Sequence, residues 1–489
     1  MANLQSWSSQ WLIVLALTTA VLAFYSFDKL KKEGILGRAR RASTAKTPPR
    51  SVSPEKLALG GLLPTSYSDV LPPSRREAMR SLASKKPATS SKEVSEKDIL
   101  RNILPMTENY ETAKGSLYTS MGFSMDEIKE MGDFPDFATL SGVPLPNAHG
   151  DNFDIDKALP RPYRPFRWAY HQTMSLKKLE TDWWIELENK YKKRIAQRKD
   201  LYAKHGKEVL DWLPGSEIAC KELMEMVIQY ICARYPRLFS LKDDRILVNG
   251  ILGTEQDIRA KHPLEVLMDN VPEDFAITMR DDKTGYYSFR AGVICSSLGW
   301  NVSTKIGLQL HEVHAPIPDY KEKMKFSMDR FFSKMPADKP IQRGSWGLEV
   351  DCPLYMPPGD PHELHRLSQS PDLSIDDCYL RVDWQTLRRL PISGSIVFNF
   401  KAVFTPVTEF RDEPKVPALV AKVLREGKKN LMEYKSTWHV EHVVLPALDK
   451  WNKEQEDSGM IEKNWEVSTL DEDPLFKGWE DKWHRQQGF

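Results

Sequence analysis

The stretch Cys378 to Val407, CYLRVDWQTLRRLPISGSIVFNFKAVFTPV, decides the fold. Two runs rich in β-branched and aromatic residues, Cys378 to Leu390 and Ser395 to Val407, flank Pro391-Ile392-Ser393-Gly394, a cluster suited to a turn. The spacing predicts two antiparallel strands. In the second run Val397, Asn399, Lys401 and Val403 alternate with Phe398, Phe400, Ala402 and Phe404, which predicts one packed face. Upstream, Ala276 to Met279 and Tyr286 to Cys295 flank Asp281-Asp282-Lys283-Thr284-Gly285 and read as a hairpin; a further strand is expected at Gly347 to Leu354.

Helical patterns stand on both sides of these strands. Leu179 to His205 reads as an amphipathic helix, and the apolar residues Ile218, Leu223, Met226, Val227, Tyr230 and Ile231 keep helical spacing between Ser216 and Pro236. Helices are also expected at Val416 to Glu426 and from Asn430 to Trp451. Helices, then strands, then helices is the order of an α+β fold rather than of repeated βαβ units.

With 489 residues and 41 % apolar side chains, the chain can bury a sizeable core. Formal charge is +1, but Asp28 to Asp98 holds 16 basic against 8 acidic residues, so the remainder is mildly acidic. That distribution argues against nucleic acid as a partner of the domain, which would need a basic face of its own. The five cysteines lack metal-ligand spacing and read as buried thiols in a reducing compartment.

Trp11 to Phe27, WLIVLALTTAVLAFYSF, carries no charge and is followed by Lys29, Lys31, Lys32, Arg38, Arg40 and Arg41. It reads as one transmembrane helix with the domain on the cytosolic side of an intracellular membrane, the endoplasmic reticulum being one example. A cleaved signal peptide is the alternative, although a basic n-region is missing. The expected organisation is a short extracytosolic N-terminus at 1–10, the anchor at 11–27 and a disordered Ser/Pro-rich tether at 28–97. A wrapping segment at 98–140, the main domain at 141–452 and a C-terminal tail at 453–489 complete it.

No glycine-rich phosphate loop, nucleophile elbow, HExxH helix or Ser/His/Asp arrangement is present. Two polar clusters remain. In GLQLHEVHAPIPDY, His311 and His314 precede Pro316 and Pro318; a histidine held beside prolines suits either a metal or haem iron, or a hydrogen-bonded structural role. In LRVDWQTLRRLPISGS, Arg381, Asp383 and Gln385 share a strand face, followed by Arg388 and Arg389. These arginines suit ligand carboxylates or, equally, ion pairs with Glu273, Asp274 or Asp376. Glu273, Asp274, Asp383 and Tyr286 are equivalent candidates for a catalytic acid or base, and residue type selects none of them.

The runs RPYRPFRWAYHQTMSL, ELMEMVIQYICARYPRLF, VNGILG, VPEDFAIT, GVICSSLGWNVSTKIGLQLHEVHAPIP, RGSW (Arg343 to Trp346) and LRVDWQTLRRLPISGSIVFNFKAVFTP together resemble the haem-dependent oxidative N-demethylase family. The resemblance extends from about Leu145 to Trp451 and includes a fungal branch called the HRQ family. It implies a PAS-like antiparallel sheet with flanking helices that binds haem b, and an O2-dependent mono-oxygenase that oxidises N-methyl groups of small or medium-sized amines. Electrons would come from NADPH through a separate flavin and iron–sulfur reductase. His-Ala-Pro-Ile-Pro matches the family's His-x-Pro-Val-Pro motif, which makes His314 the axial ligand; Arg381, Gln385, Arg388 and Arg389 become contacts to propionates or substrate. Trp384 stands where bacterial members carry a basic residue, and Ser345 replaces the Asn before the tryptophan, departures that bear on substrate choice. A PAS-like domain that binds or senses haem or another small molecule without turnover is the alternative.

Overall fold

A seven-stranded antiparallel sheet organises the chain around the hairpin expected from Cys378 onward. The computed structural model describes residues 70–73, 75–76, 102–170 and 174–489, all within one unit, Pro54–Phe489. In chain order the strands are β1 (Lys177–Lys178), β2 (Leu210–Trp212), β3 (Phe239–Lys242), β4 (Ile246–Asn249) and β5 (Thr254–Asp257). They continue with β6 (Asp274–Arg280), β7 (Tyr287–Val293), β8 (Ile341–Val350), β9 (Cys378–Arg389) and β10 (Ile396–Pro406). The main sheet has the order β1-β8-β9-β10-β6-β7-β2, and β3-β4-β5 form a separate three-stranded sheet.

The helices that cover the sheet are α1 (Met125–Met131), α2 (Phe137–Ser141), α3 (Tyr191–His205), α4 (Glu217–Arg234), α5 (Pro263–Asn270) and α6 (Leu310–Val313). They continue with α7 (Lys325–Lys334), α8 (Val416–Glu426), α9 (Lys429–Lys435), α10 (Trp438–Asp457) and α11 (Trp479–Gln487). Helices α3 to α5 pack on one sheet face through Ile195, Leu223, Val227 and Leu267 against Phe275, Ile277, Val293 and Val397. Farther along that face Leu348, Leu380, Val382 and Trp384 meet Val420, Val444 and Leu448 of α8 and α10. The opposite face receives α6, α7 and a π-helical turn at Tyr320–Met324, through Leu310, Tyr320, Met328 and Phe332.

The reading of β10 as a strand with one packed face is corrected. Val397 (1 % exposed), Asn399 (2 %) and Lys401 (6 %) are buried, while Phe398 and Phe404 are half-buried. The polar residues can be interior because each has a partner: Asn399 accepts from the Thr386 hydroxyl at 2.7 Å, and the Lys401 ammonium donates to the Glu186 carbonyl.

The expectation of a fold carried on a transmembrane helix is also corrected: among the described residues no helix is long and apolar enough to cross a membrane. Helix α10 has the 20 residues a span needs but carries Glu441, Asp449, Lys450, Lys453, Glu454, Glu456 and Asp457. Trp11 to Phe27, on which the expectation rested, lies outside the described residues, as does most of 28–97. Where that proposed tether is described it is ordered against the domain: Val70 and Leu71 join the core, and Arg76 forms a two-pronged pair with Asp338 at 2.9 Å. At the other end of the chain Leu470 and Phe476 are buried beside α8 and α10, so residues beyond Asp457 fold back on the domain.

Candidate functional site

The sequence around His314 folds into a single helical turn because it is capped at both ends. Gln309 and Glu312 form a reciprocal box at the start of α6, and His314 ends the turn with its backbone N–H on the Leu310 carbonyl at 3.1 Å. Pro316 and Pro318 carry no N–H to prolong it. The His314 ring Nδ1 lies 2.6 Å from that same Leu310 oxygen. A carbonyl only accepts, so Nδ1 holds the proton and Nε2 keeps its lone pair; among the described residues Nε2 has no hydrogen-bond partner. The ring stacks on Tyr320, centroids 5.2 Å apart and planes 10° from parallel. Burial pushes its pKa down to about 4, with the charges of Lys305 and Arg343 acting in the same direction. The imidazole is therefore neutral near pH 7.

His314 is flanked by two apolar clusters on one face of the sheet. Leu310, Ile317 and Tyr320 lie against Leu387 and Ile396, and Val313 joins Phe398, Phe400, Trp300 and Ile306. Cross-strand register fixes what else shares this face. Gln385 pairs with Arg343 on one side and Phe400 on the other, and Asp383 pairs with Ser345 and Ala402. Arg343, Ser345, Asp383, Gln385 and Phe398 are all half-buried, a partly open strip beside the buried Phe400 and Ala402.

The structure separates the residues singled out in the sequence. Gln385 lies on the open strip. Arg381 shares its face, but its donors are engaged by Asp383 at 2.9–3.0 Å and by the carbonyls of Pro353, Leu354 and Ser296. Arg389 also shares the face yet caps the C-terminal end of α7, donating to the Met335 and Phe332 carbonyls, and further binds Tyr287 Oη and the Gly394 carbonyl. Arg388, one residue out of phase, points to the opposite face, where its guanidinium lies 4.1 Å from the Trp184 ring. None of the three pairs with Glu273, Asp274 or Asp376 among the described residues.

Asp274 is held by Arg198 at 2.5 Å and accepts from Cys295 N, Ser296 N and Ser296 Oγ. Burial raises the Glu273 carboxyl to about 7, against the pull of Lys401, whose side chain lies on the face opposite Gln385. Tyr286 lies beside His311, ring centroids 6.1 Å apart. Of the three candidate carboxylates, Asp383 is the one on the open strip.

Two residues on or beside the strip were not singled out individually, Arg343 and Lys435. The Lys435 ammonium donates to Ser345 Oγ at 3.1 Å and to the Trp346 carbonyl at 2.6 Å. Arg343 falls within the quoted RGSW run, so a signal existed for it; Lys435 lies in a plain charged helix and gave none. Two cavities, of about 350 and 410 Å3, lie elsewhere, one between α4 and the 110–137 segment, the other between 408–414 and 476–486.

The chain is an α+β domain with a partly open sheet face and an oriented neutral histidine beside it. Residues 175–445 match the family described as haem-dependent oxidative N-demethylase, alpha subunit-like. That match covers more than half of the chain, and the chain belongs to this family.

Proposed function

We propose that the chain is the haem-bearing component of an oxidative N-demethylase acting on a small or medium-sized amine. The observation that carries this reading is the His314 ring, with Nδ1 fixed on a backbone carbonyl and Nε2 unpartnered beside an incompletely covered apolar face. Ligating histidines are commonly fixed in this way, because the second hydrogen bond sets the tautomer and aims the lone pair. The residues present fit haem b: one neutral imidazole for the iron, and Phe398, Trp300, Ile306 and Val313 for a flat apolar ring. Family membership supports the same cofactor.

When bound, haem supplies the iron at which dioxygen is reduced and the N-methyl carbon oxidised. The reaction would put one oxygen atom on that carbon, which would leave as formaldehyde, and the other into water. Two electrons come from NADPH through a separate flavin and iron–sulfur reductase, and two protons from solvent. In this scheme His314 would hold the iron through Nε2, with its ring kept from rotating by the Leu310 carbonyl. Gln385 would offer an uncharged donor and acceptor to the bound molecules.

The test is an absorption spectrum of the full chain expressed with a haem precursor, alongside His314→Ala. A Soret band that disappears or shifts in the variant is expected, followed by amine-dependent consumption of NADPH and O2 once a reductase is supplied. A colourless native protein overturns the haem reading. A haem-loaded protein that oxidises no member of an amine panel is instead a binding or sensing protein.

A further inference from the structure

We infer that Arg343 and Lys435 form a carboxylate cradle on the His314 side of the sheet, and that it holds the two propionate groups of haem. The inference rests on the haem reading above and assigns a role to residues that the sequence motifs did not.

Several buried cations among the described residues have evident partners. Arg164 is clasped by Glu413 at 2.6 Å on both prongs, Arg198 by Asp274, and Arg381 by Asp383. Arg389 has four backbone and hydroxyl acceptors. Arg343 differs: among the described residues it forms no ion pair, and its Nε is buried without an acceptor. Lys435 is close enough that the two charges oppose each other; its ammonium has the Ser345 hydroxyl, the Trp346 carbonyl and the Trp346 ring 5.0 Å away, but no carboxylate within pairing distance among the described residues. Arg167, the other nearby cation, is paired with Asp473 at 3.1 Å. Asp383, the nearest acid, is already bound to Arg381.

Burial lowers the Lys435 pKa to about 7 and depresses Arg343 as well, the cost of holding two positive groups together away from water. An anion supplied by a ligand removes that cost. The geometry suits a dicarboxylate. Arg343 faces Gln385 across the β8–β9 ladder, Lys435 is tied to Ser345 two residues farther along the same face, and the Arg343 charge reaches the His314 ring. A flat molecule held beside His314 over the half-buried Phe398 would meet these cations at one edge and apolar side chains at the other. A planar guanidinium accepts a carboxylate bidentately, and an ammonium takes the second as a point charge. Arg388 is not an equivalent: it lies on the other face, with its guanidinium over the Trp184 ring.

The experiment titrates the full apo chain with haem b and with its dimethyl ester, following the Soret band, in the native protein, Arg343→Gln and Lys435→Met. The native chain is expected to bind haem b at least about tenfold more tightly than the diester. Each variant should lose most of that preference while keeping the native Soret position, because His314 is untouched. Equal native affinity for acid and diester overturns the cradle while leaving the haem reading in place. No Soret band with either porphyrin overturns both. Two separate variants guard against one failing to fold, and the native comparison depends on neither.

Discussion

Arg389 and Glu222 hold opposite ends of the same small region, and both are occupied by backbone. Arg389 holds the last carbonyls of α7 against β9, and the buried carboxylate of Glu222 accepts Ile392 N at 2.6 Å and Ser393 N at 2.9 Å, closing the turn between β9 and β10. Burial raises the Glu222 carboxyl from 4.5 to about 7 even against those two donors. The native state therefore keeps a proton that the unfolded chain gives up. The associated stability is complete below pH 4.5 and is lost as the pH rises through about 7, an effect on the order of 3 kcal/mol. Glu273, raised similarly, adds in the same direction. Melting temperatures measured from pH 4.5 to 8 should fall in the native chain and fall less steeply in Glu222→Gln. That variant starts from a lower value, since an amide offers the turn only one acceptor; an unchanged slope would remove Glu222 as a contributor.

Among the elements, β8 depends on a glycine for close approach. A Cβ on Gly344 would lie 2.8 Å from Pro165 Cβ and 2.9 Å from its Cγ, so any larger residue must push strand and proline apart. Gly344→Val should cost about 1–3 kcal/mol in urea unfolding and broaden the haem titration, because Arg343 and Ser345 flank it. The sequence made some elements legible and not others. The β9–β10 hairpin was clear, since both strands alternate and Pro-Ile-Ser-Gly separates them. Strand β8 was expected at Gly347 to Leu354 but runs Ile341–Val350, because Arg343-Gly344-Ser345 shows no apolar alternation. The helix read from Leu179 to His205 begins only at Tyr191; Trp184, Ile185 and Leu187 enter the core from irregular chain. The single helix expected from Asn430 to Trp451 is broken by Ser436 at φ 51°. At the site, His314 stood out through its prolines, and the alternation of β9 placed Gln385 correctly beside Arg381 and Asp383. Which arginines were already committed was hidden, because their acceptors are backbone carbonyls that no residue pattern records.

At the scale of the whole molecule, Glu413 joins parts of the chain that lie far apart in sequence. It is fully buried, binds Arg164 from the segment before the family match, and accepts Lys482 Nζ at 3.1 Å from the segment after it. Removing its charge leaves Arg164 without its acid in the interior, while Lys482 keeps Glu409 at 2.6 Å, a loss of about 3–5 kcal/mol. Glu413→Gln should therefore lower the midpoint of chemical unfolding strongly. It should also make the C-terminal segment, where Leu470 and Phe476 are buried, accessible to limited proteolysis before the rest. Native-like resistance at that segment would show that apolar packing alone secures it.

The buried polar pairs of β10 have a consequence for how the sheet assembles. A slip of one residue against β9 would remove Asn399 Oδ1 from Thr386 and leave that oxygen and the hydroxyl in the interior unanswered, while moving the half-buried phenylalanines to the other face. Apolar side chains alone tolerate such an error, since one hydrocarbon contact resembles the next. Here the interior hydrogen bond acts as a key that fits one alignment of the two strands.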